Sequence, residues 1–341
     1  MIGFCGLVPV PALAQQSIPS TASAAPSAAG GVELERTPED FTNLGLATSD
    51  LQPQPPIPGG HEQNADFTRD LVRLQWRIGD PIDVYIVLPT AVKHPPVALY
   101  LLNYPNGSER FLNSQFCRRL TQNGVAAVGF STALTAERYV RRPMKQWFIS
   151  QLQESMAASA HDVQLVLDYL ASRGDLDTSR VGIFGQGSGA AVAILAASVD
   201  SRIQALDLME PWGDWPDFLA GSDVIPEDER PGYLKPDFLH QLDSVEPARF
   251  LPVLKSRSIR MQFVDQEPAL KWYAKISNAA PSGTEIHHYA SSEELRIMTG
   301  QKLFQWLPER LKAEERASGW PEGVQTAAPP AAMQEQKGAT P

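Results

Sequence analysis

Residues 167–198 decide the fold, and they read LDYLASRGDLDTSRVGIFGQGSGAAVAILAAS. Residues 181–184 form a short apolar run that predicts a buried strand. The turn at residues 185–189, GQGSG, leads directly into small residues that favour a helix over residues 188–198. Glycines at both ends of this turn let a strand bend sharply into a helix, and they force the residue at the apex into a positive-φ conformation. The stretch therefore predicts a strand, a tight turn and a helix in immediate succession.

Similar units flank this stretch on both sides. Strands are predicted at residues 71–76, 82–88, 97–102, 125–130, 203–209, 259–264 and 284–289, and helices at 111–122, 152–170, 268–279 and 293–312. The first two strands are joined by a hairpin signal, Gly79-Asp80-Pro81, and are expected to be antiparallel. The later alternation of strands and helices predicts an α/β fold, a mostly parallel sheet with helices on both faces.

The two ends of the chain differ from this core in composition. Residues 1–14 read as a signal peptide, because residues 2–13 are mostly apolar and Ala12-Leu13-Ala14 resembles a cleavage site. Basic residues that usually begin such a signal are missing before Arg36, so the start of the chain can lie inside a longer signal. Residues 15–60 are predicted to be a disordered linker and residues 313–341 a disordered tail. The expected domain is residues 61–312, with a cap at about 212–250, in an exported protein of the periplasm or the extracellular space.

Composition excludes several classes of function. The net charge of −10 argues against a nucleic-acid partner, which needs clustered Lys and Arg. After the signal, the sequence contains no apolar run as long as the roughly 18 residues that a membrane-spanning helix needs. Cys5 lies in the signal, so Cys117 is expected to be an inert, partly buried thiol. We find no HExxH motif and no paired cysteines, and we predict no metal and no cofactor.

The helix, strand, GQGSG turn and small-residue helix of residues 167–198 resemble the nucleophile elbow of α/β-hydrolases, above all the esterases of the dienelactone-hydrolase and acyl-peptidase type. The resemblance covers about residues 65–312. It implies an α/β-hydrolase fold with a small cap and ester or acyl hydrolase activity. It also implies a serine at the apex of the elbow, an acid after strand 259–264 and a histidine after the last strand.

The residues at these positions depart from the pattern of the family. The apex is Gly187, and Ser188 is expected to begin the helix, with its N–H lining the former oxyanion hole. A register shifted by one residue would instead make Ser188 the nucleophile. Glu267 is the candidate acid, although it and Asp265 also suit a solvated turn before a helix. Glu293 stands where the histidine is expected, and no histidine follows His288.

The remaining histidines and the loops around the elbow leave several interpretations open. His287 and His288 are interpreted as structural, with side chains on opposite faces of their strand. If an oxyanion hole is retained, the loop after strand 97–102 donates to it from Tyr104 or Asn103, because Pro105 has no N–H; the alternative is that this loop is a plain turn. Candidate pocket residues are Tyr104, Gln186, Ser188, Trp212 and Trp215, with an acidic rim of Glu210, Asp214 and Asp217. The tryptophans could equally pin the cap to the core, and Arg141, Arg142 and Lys145 form a short basic cluster.

These observations support three hypotheses. The first is a catalytically impaired α/β-hydrolase-fold protein that binds a small molecule or a protein partner at the former active site. The second is an active serine ester or acyl hydrolase that uses Ser188. The third is a structural envelope or interaction protein in which the terminal segments matter most.

Overall fold

The computed structural model describes residues 39–47, 49–135, 138 and 151–312. Within this part of the chain nine strands form one sheet in the order β1-β2-β3-β5-β4-β6-β7-β8-β9. The strands are β1 (Ile57–Gln63), β2 (Phe67–Arg77), β3 (Asp80–Pro89), β4 (Pro96–Leu101), β5 (Ala126–Phe130), β6 (Asp177–Gln186), β7 (Ile203–Met209), β8 (Ser258–Val264) and β9 (Glu285–Tyr289). Strands β1 to β3 are antiparallel, and β3 is antiparallel to β5. All pairs from β5 to β9 are parallel, so the carboxyl ends of β4 and β6 to β9 meet at one edge.

Helices cover both faces of this sheet. The α-helices are α1 (Ser114–Thr121), α2 (Leu152–Arg173), α3 (Ser188–Val199), α4 (Trp215–Gly221), α5 (Arg230–Tyr233), α6 (Pro236–Leu242), α7 (Pro247–Phe250), α8 (Leu270–Ala279), α9 (Ser292–Thr299) and α10 (Trp306–Arg310). Leu99 and Ile183 point to the face covered by α2 and α3, and their neighbours Ala98 and Phe184 point to the face covered by α1 and α10. Both faces of the central strands are therefore buried, which explains their unbroken apolar sequences. The predicted α/β fold is confirmed.

Two predicted boundaries are wrong. The predicted linker extends to residue 60, but β1 already pairs with β2 from Ile57, and Leu44 is buried in the core. The Pro-rich composition hid this strand, which lies at the edge of the sheet, where proline is tolerated. The single helix predicted at 293–312 is three pieces, α9, a 3₁₀ turn at Gly300–Phe304 and α10, because Gly300 leaves helical geometry with φ 46°. Residues 1–38, the basic cluster at 141–145 and the tail from 313 lie outside the described residues.

The cap contains four short helices, α4 to α7, between β7 and β8. Trp215 and Phe218 of α4 are almost completely buried, and the indole N–H of Trp215 donates to the carbonyl of Val245 (3.3 Å). The carboxylate of Glu246 accepts the backbone N–H groups of Asp214 and Trp215. These contacts join the beginning of the cap to its end, and the N–H of Trp212 donates to the carbonyl oxygen of Gly187 (3.2 Å), which places the cap beside the turn after β6.

Candidate functional site: a closed nucleophile elbow

Gly187 is the apex of the turn between β6 and α3. Its backbone has φ 54° and ψ −115°, a conformation that residues other than glycine rarely adopt. Ser188 is the first residue of α3. Two backbone hydrogen bonds join the elbow to the end of β7 and the residues after it. The N–H of Gly187 donates to the carbonyl oxygen of Met209 (2.9 Å), and the N–H of Trp212 donates to the carbonyl oxygen of Gly187 (3.2 Å). The positive φ thus falls at position 187, and Ser188 is not at the apex.

Close packing brings the end of β4 over this apex. A Cβ at position 189 would lie closer than 3 Å to the carbonyl group of Leu101, so only glycine lets α3 approach β4 this closely. The next residues after β4 are Leu102, Asn103 and Tyr104. They are therefore placed directly above Gly187 and Ser188.

The carboxamide of Asn103 occupies the space that a side chain at position 187 would need. A Cβ built on Gly187 would lie closer than 3 Å to three atoms of that carboxamide. Asn103 Oδ1 accepts the backbone N–H of Ser188 at 3.1 Å. In a working elbow this N–H, from the residue after the nucleophile, is an oxyanion-hole donor. Here it is already bonded within the chain.

The second expected donor is also bonded within the chain. The N–H of Tyr104 donates to Ser188 Oγ at 2.8 Å, and the hydroxyl of Ser188 lies 3.4 Å from Asn103 Oδ1, to which it donates. Ser188 is completely buried. Both partners of the Ser188 hydroxyl therefore belong to the loop that follows β4, residues 102–104, which we call the β4 loop. Neither partner is an imidazole. Tyr104 is correctly placed as a donor, but it donates to Ser188 and not to an open site.

The acid and base positions differ from the expectation. Of the two acidic residues that follow β8, the one that contacts a histidine is Asp265, whose Oδ1 lies 2.8 Å from Nδ1 of His288. Glu267 is exposed. The register of β9 against β8 explains why His288 contacts Asp265. It places His288 beside Phe263, and the two rings stack with 5.2 Å between their centroids. Glu293, at the expected histidine position, is exposed and pairs with Arg296.

His287 and His288 do point to opposite faces of β9. His288 stacks on Phe263, whereas the ring of His287 lies over Tyr289, whose hydroxyl donates to Gln262 (3.4 Å). The side chain of His288 is 46% exposed. The Asp265–His288 pair is therefore a solvent-facing pair at the edge of the sheet, and the buried Ser188 hydroxyl bonds to the β4 loop instead.

The two cap tryptophans pack as core. Trp212 contacts Phe218 (4.7 Å between ring centroids) and Tyr104 (6.3 Å), and Trp215 contacts Phe218 (5.9 Å). Trp212 is 6% exposed and Trp215 is 2% exposed. Of the two interpretations left open by the sequence, these contacts favour a role in fixing the cap. Trp212 nevertheless meets the loop of Tyr104, and so it forms part of the wall that closes the elbow.

Half-buried polar groups remain beside the elbow. Gln186 precedes the apex and pairs through its backbone with Met209. Glu210 follows β7 with φ 48° and accepts a hydrogen bond from the hydroxyl of Tyr273 at 3.3 Å. Burial raises the pKa of Glu210, and the hydrogen bond from Tyr273 only partly offsets this effect. Burial also raises the pKa of Tyr273, and the negative charge of Glu210 raises it further.

Asp214 is also displaced from the predicted rim. Its side chain is 2% exposed and pairs with Lys275 of α8. Burial raises the pKa of Asp214, and the ammonium of Lys275 opposes that rise. Within the part of the chain that the structure describes, three or more His, Cys, Asp and Glu side chains nowhere form a group that could hold a metal ion. In the same residues, none of the helices has the length and apolarity to cross a membrane.

Comparison with known proteins supports the fold. The structure is similar to acetyl xylan esterase 1 from Thermoanaerobacterium sp. JW/SL YS485 (TM-score 0.56, 13% identity, covering 81% of this chain and 95% of that one). It is also similar to an acetyl xylan esterase from Paenibacillus sp. R4 (0.53, 16%, 77% and 90%) and to an acylaminoacyl peptidase of Pyrococcus horikoshii (0.52, 13%, 77% and 44%). No protein-family model matches the sequence, and no curated protein is significantly similar to it. The sheet order, the elbow and these similarities together show that the chain has the α/β-hydrolase fold.

Proposed function

We propose that this chain is an exported α/β-hydrolase-fold protein that lacks serine-hydrolase chemistry and acts by binding a small molecule beside the former active site. One observation carries the proposal. The Asn103 carboxamide fills the space above Gly187 and accepts the N–H of Ser188. The position of a nucleophile and the first oxyanion donor are thereby taken by one side chain.

The consequence for catalysis is large. An oxyanion hole works because its N–H groups are free to meet the charge that develops on the substrate, and loss of one donor costs about 10²–10³ in rate. Here the N–H of Ser188 is bonded to Asn103 and the N–H of Tyr104 to Ser188 Oγ. A substrate oxygen would have to displace both bonds before it gained either of them.

Ser188 is also a poor replacement nucleophile. A serine attacks only when a base removes its proton, and the base must lie within hydrogen-bonding distance. The hydroxyl of Ser188 is buried and bonds to the β4 loop, while His288 bonds to Asp265 and faces solvent. These contacts support the hypothesis of an impaired enzyme over that of an active hydrolase.

The groups that remain suit a neutral or cationic ligand. Glu210 is half-buried beside Tyr273, and Gln186, Asn103 and Tyr104 are also half-buried at the same edge of the sheet. A partly buried carboxyl group accepts hydrogen bonds from hydroxyl or ammonium groups, and the net charge of −10 repels anions. Export is proposed on the apolar residues 2–13 and the Ala12-Leu13-Ala14 site.

The loss of chemistry is tested by aryl acetate hydrolysis and fluorophosphonate labelling of the wild type, Ser188→Ala and Ser198→Ala. Ser198 is the matched control, because it lies on the same helix with its hydroxyl bonded to the carbonyl of Leu195. We expect background hydrolysis and no labelling in all three proteins. Hydrolysis or labelling that disappears only in Ser188→Ala would overturn the proposal and establish the active-hydrolase hypothesis.

Binding is tested by thermal shift with three probes: acetylated xylobiose, tetramethylammonium and glucuronate. We expect the neutral or the cationic probe to raise the melting temperature, and Glu210→Gln to remove that rise. Glucuronate should have no effect. Stabilisation by glucuronate alone, or a response unchanged in Glu210→Gln, contradicts a site at Glu210. Partner capture that requires residues 313–341 and is indifferent to Glu210→Gln would instead support the interaction-protein hypothesis.

A further inference from the structure

Residues 39–47, which we call the N-terminal arm, are bound to the core through helix α2. Leu44 of the arm is 4% exposed, and its carbonyl accepts a hydrogen bond from Gln164 (2.8 Å). The ring of Phe41 stacks on His161, with 6.4 Å between the centroids. His161 itself is 1% exposed and lies directly under the arm.

Both ring nitrogens of His161 face acceptors. Nδ1 lies 2.6 Å from a carboxylate oxygen of Glu39, and Nε2 lies 2.8 Å from the backbone carbonyl oxygen of Asn43. A carbonyl oxygen and a carboxylate can only accept, whichever way the ring is turned. A neutral imidazole carries one N–H, so it can satisfy only one of these partners. The imidazolium carries two and satisfies both.

The charges around His161 lead to the same protonation state. The cluster contains three carboxylates, Glu39, Asp80 and Asp162, and two guanidinium groups, Arg77 and Arg138. Arg77 bonds to both Glu39 (2.5 Å) and Asp162 (2.5 Å), and Arg138 bonds to Asp162 (2.5 Å) and Asp80. Among the described residues of the cluster, a neutral His161 would therefore leave one negative charge in excess in a largely buried site, which is costly.

The carboxylates keep their charge in this site. Burial alone would raise the pKa of Glu39, but the hydrogen bonds from Arg77 and His161 outweigh it and lower the pKa. Burial would likewise raise the pKa of Asp162, and the charges of Arg138 and Arg77 reverse the shift. Glu39 and Asp162 therefore act as hydrogen-bond acceptors in this cluster, as the contacts of Glu39 with His161 and of Asp162 with the two arginines require.

The arm also forms one wall of a cavity of about 970 Å³. Thr42, Asn43 and Leu44 line it on one side. The rest of the lining includes Gln153, Val199 and Phe250. The carbonyl that His161 holds is that of Asn43, a wall residue, so a movement of the arm changes the shape of this cavity.

We propose that His161 is an imidazolium in the folded protein and that loss of its proton releases the N-terminal arm from helix α2 and opens the cavity. His161 contacts Glu39 and the Asn43 carbonyl of the arm, and Asp40 is near it. The other charged groups of the cluster are connected to His161 through Glu39: they are Arg77 of β2, Asp162 of α2, Asp80 and Arg138. Contacts that need the imidazolium are present while the ring carries both protons and weaken when rising pH removes one of them. The arm is thus bound in acid and released in base.

Two measurements test this inference on the full chain. The ¹⁵N chemical shifts of the His161 ring should show an imidazolium at pH 6 and a neutral ring at pH 9. Amide exchange in residues 39–47, corrected for the intrinsic effect of pH, should become faster by about tenfold or more between these values, the ratio expected for loss of one charge-assisted hydrogen bond.

Variants separate His161 from general effects of pH. His161→Gln should remove the pH dependence of exchange in the arm. His61→Gln is the matched control, because His61 also pairs with a carboxylate, Asp70 (2.7 Å), but its side chain is 61% exposed. A neutral His161 ring at pH 6, or arm exchange that is unchanged between pH 6 and pH 9, overturns the inference. The ring shifts of the wild type decide the question even if His161→Gln does not fold.

Discussion

Placing a serine at the apex of the elbow should destabilise the protein by more than backbone strain alone. Gly187 has φ 54° and ψ −115°, and Gly300 at the end of α9 has nearly the same conformation, φ 46° and ψ −124°. A Cβ on Gly300 meets no atom within 4 Å, whereas a Cβ on Gly187 meets the carboxamide of Asn103. Gly300→Ser is therefore a control that isolates the cost of the conformation.

The structure gives the size of each effect. Gly300→Ser should cost about 1–3 kcal/mol of unfolding free energy, the usual cost of a strained backbone conformation. Gly187→Ser adds the displacement of Asn103, which leaves the N–H of Ser188 buried without its acceptor and costs a further about 1–3 kcal/mol. We thus expect a total of about 2–6 kcal/mol at position 187.

Urea denaturation followed by tryptophan fluorescence measures both costs. The test is completed by Asn103→Ala, alone and together with Gly187→Ser, as a double-mutant cycle. Because the smaller side chain makes room for the serine, the double variant should be more stable than the sum of the single changes by about 1–3 kcal/mol. Equal losses for Gly187→Ser and Gly300→Ser, or a coupling energy of zero, would refute the view that Asn103 occupies the space of a side chain at position 187.

Three other predictions concern side chains outside the elbow. Asp207→Asn should lower the free energy of unfolding by about 3–5 kcal/mol, because Asp207 is 1% exposed and forms a two-point salt bridge with Arg260. Asp83→Asn, in the exposed cross-strand pair with Arg73, should lower it by only about 0–1 kcal/mol. Urea denaturation of both variants measures this difference. Burial raises the pKa of Glu210 above 4.5, so its contribution to stability is present below pH 4.5 and is lost as pH rises through the raised pKa. Urea denaturation should therefore show a smaller loss of stability above pH 4.5 in Glu210→Gln than in the wild type. Cys117 is completely buried, and burial raises its pKa, so an aromatic disulfide reagent should label the native protein only as fast as it unfolds.

The local pattern was enough to predict the elbow. Glycines at 185 and 189 predicted a sharp turn, and the positive φ at Gly187 confirms that the apex falls there. The parallel strands were found because their apolar runs reflect burial on both faces. Strand β1 was missed, because Pro58 and Gly60 suggest a loop and the strand exists only through its pairing with β2. Edge strands of this kind carry little sequence signal of their own.

The carboxylate that contacts His288 could not be predicted for a different reason. Asp265 and Glu267 both follow β8, and the sequence offers no way to choose between them. The choice depends on the register of β9 against β8, which places His288 beside Phe263 and within reach of Asp265. Register between distant strands is a tertiary property, set by which side chains share a buried face. The missing histidine after β9 was visible from the sequence, but the pair formed by an earlier histidine was not.

The filling of the elbow shows the same limit most clearly. Gly187 has no side chain at the apex of the turn, and because protein interiors are close-packed, the space above it is filled by a neighbour. Gly189 determines which neighbour, because it lets α3 approach β4 until the loop after β4 lies over the apex. Asn103 then does two things at once: its carboxamide fills the space above Gly187, and its carbonyl oxygen accepts the buried N–H of Ser188. A glycine at the apex and an asparagine after β4 are therefore one coupled feature, and a change at either position should be read together with the other.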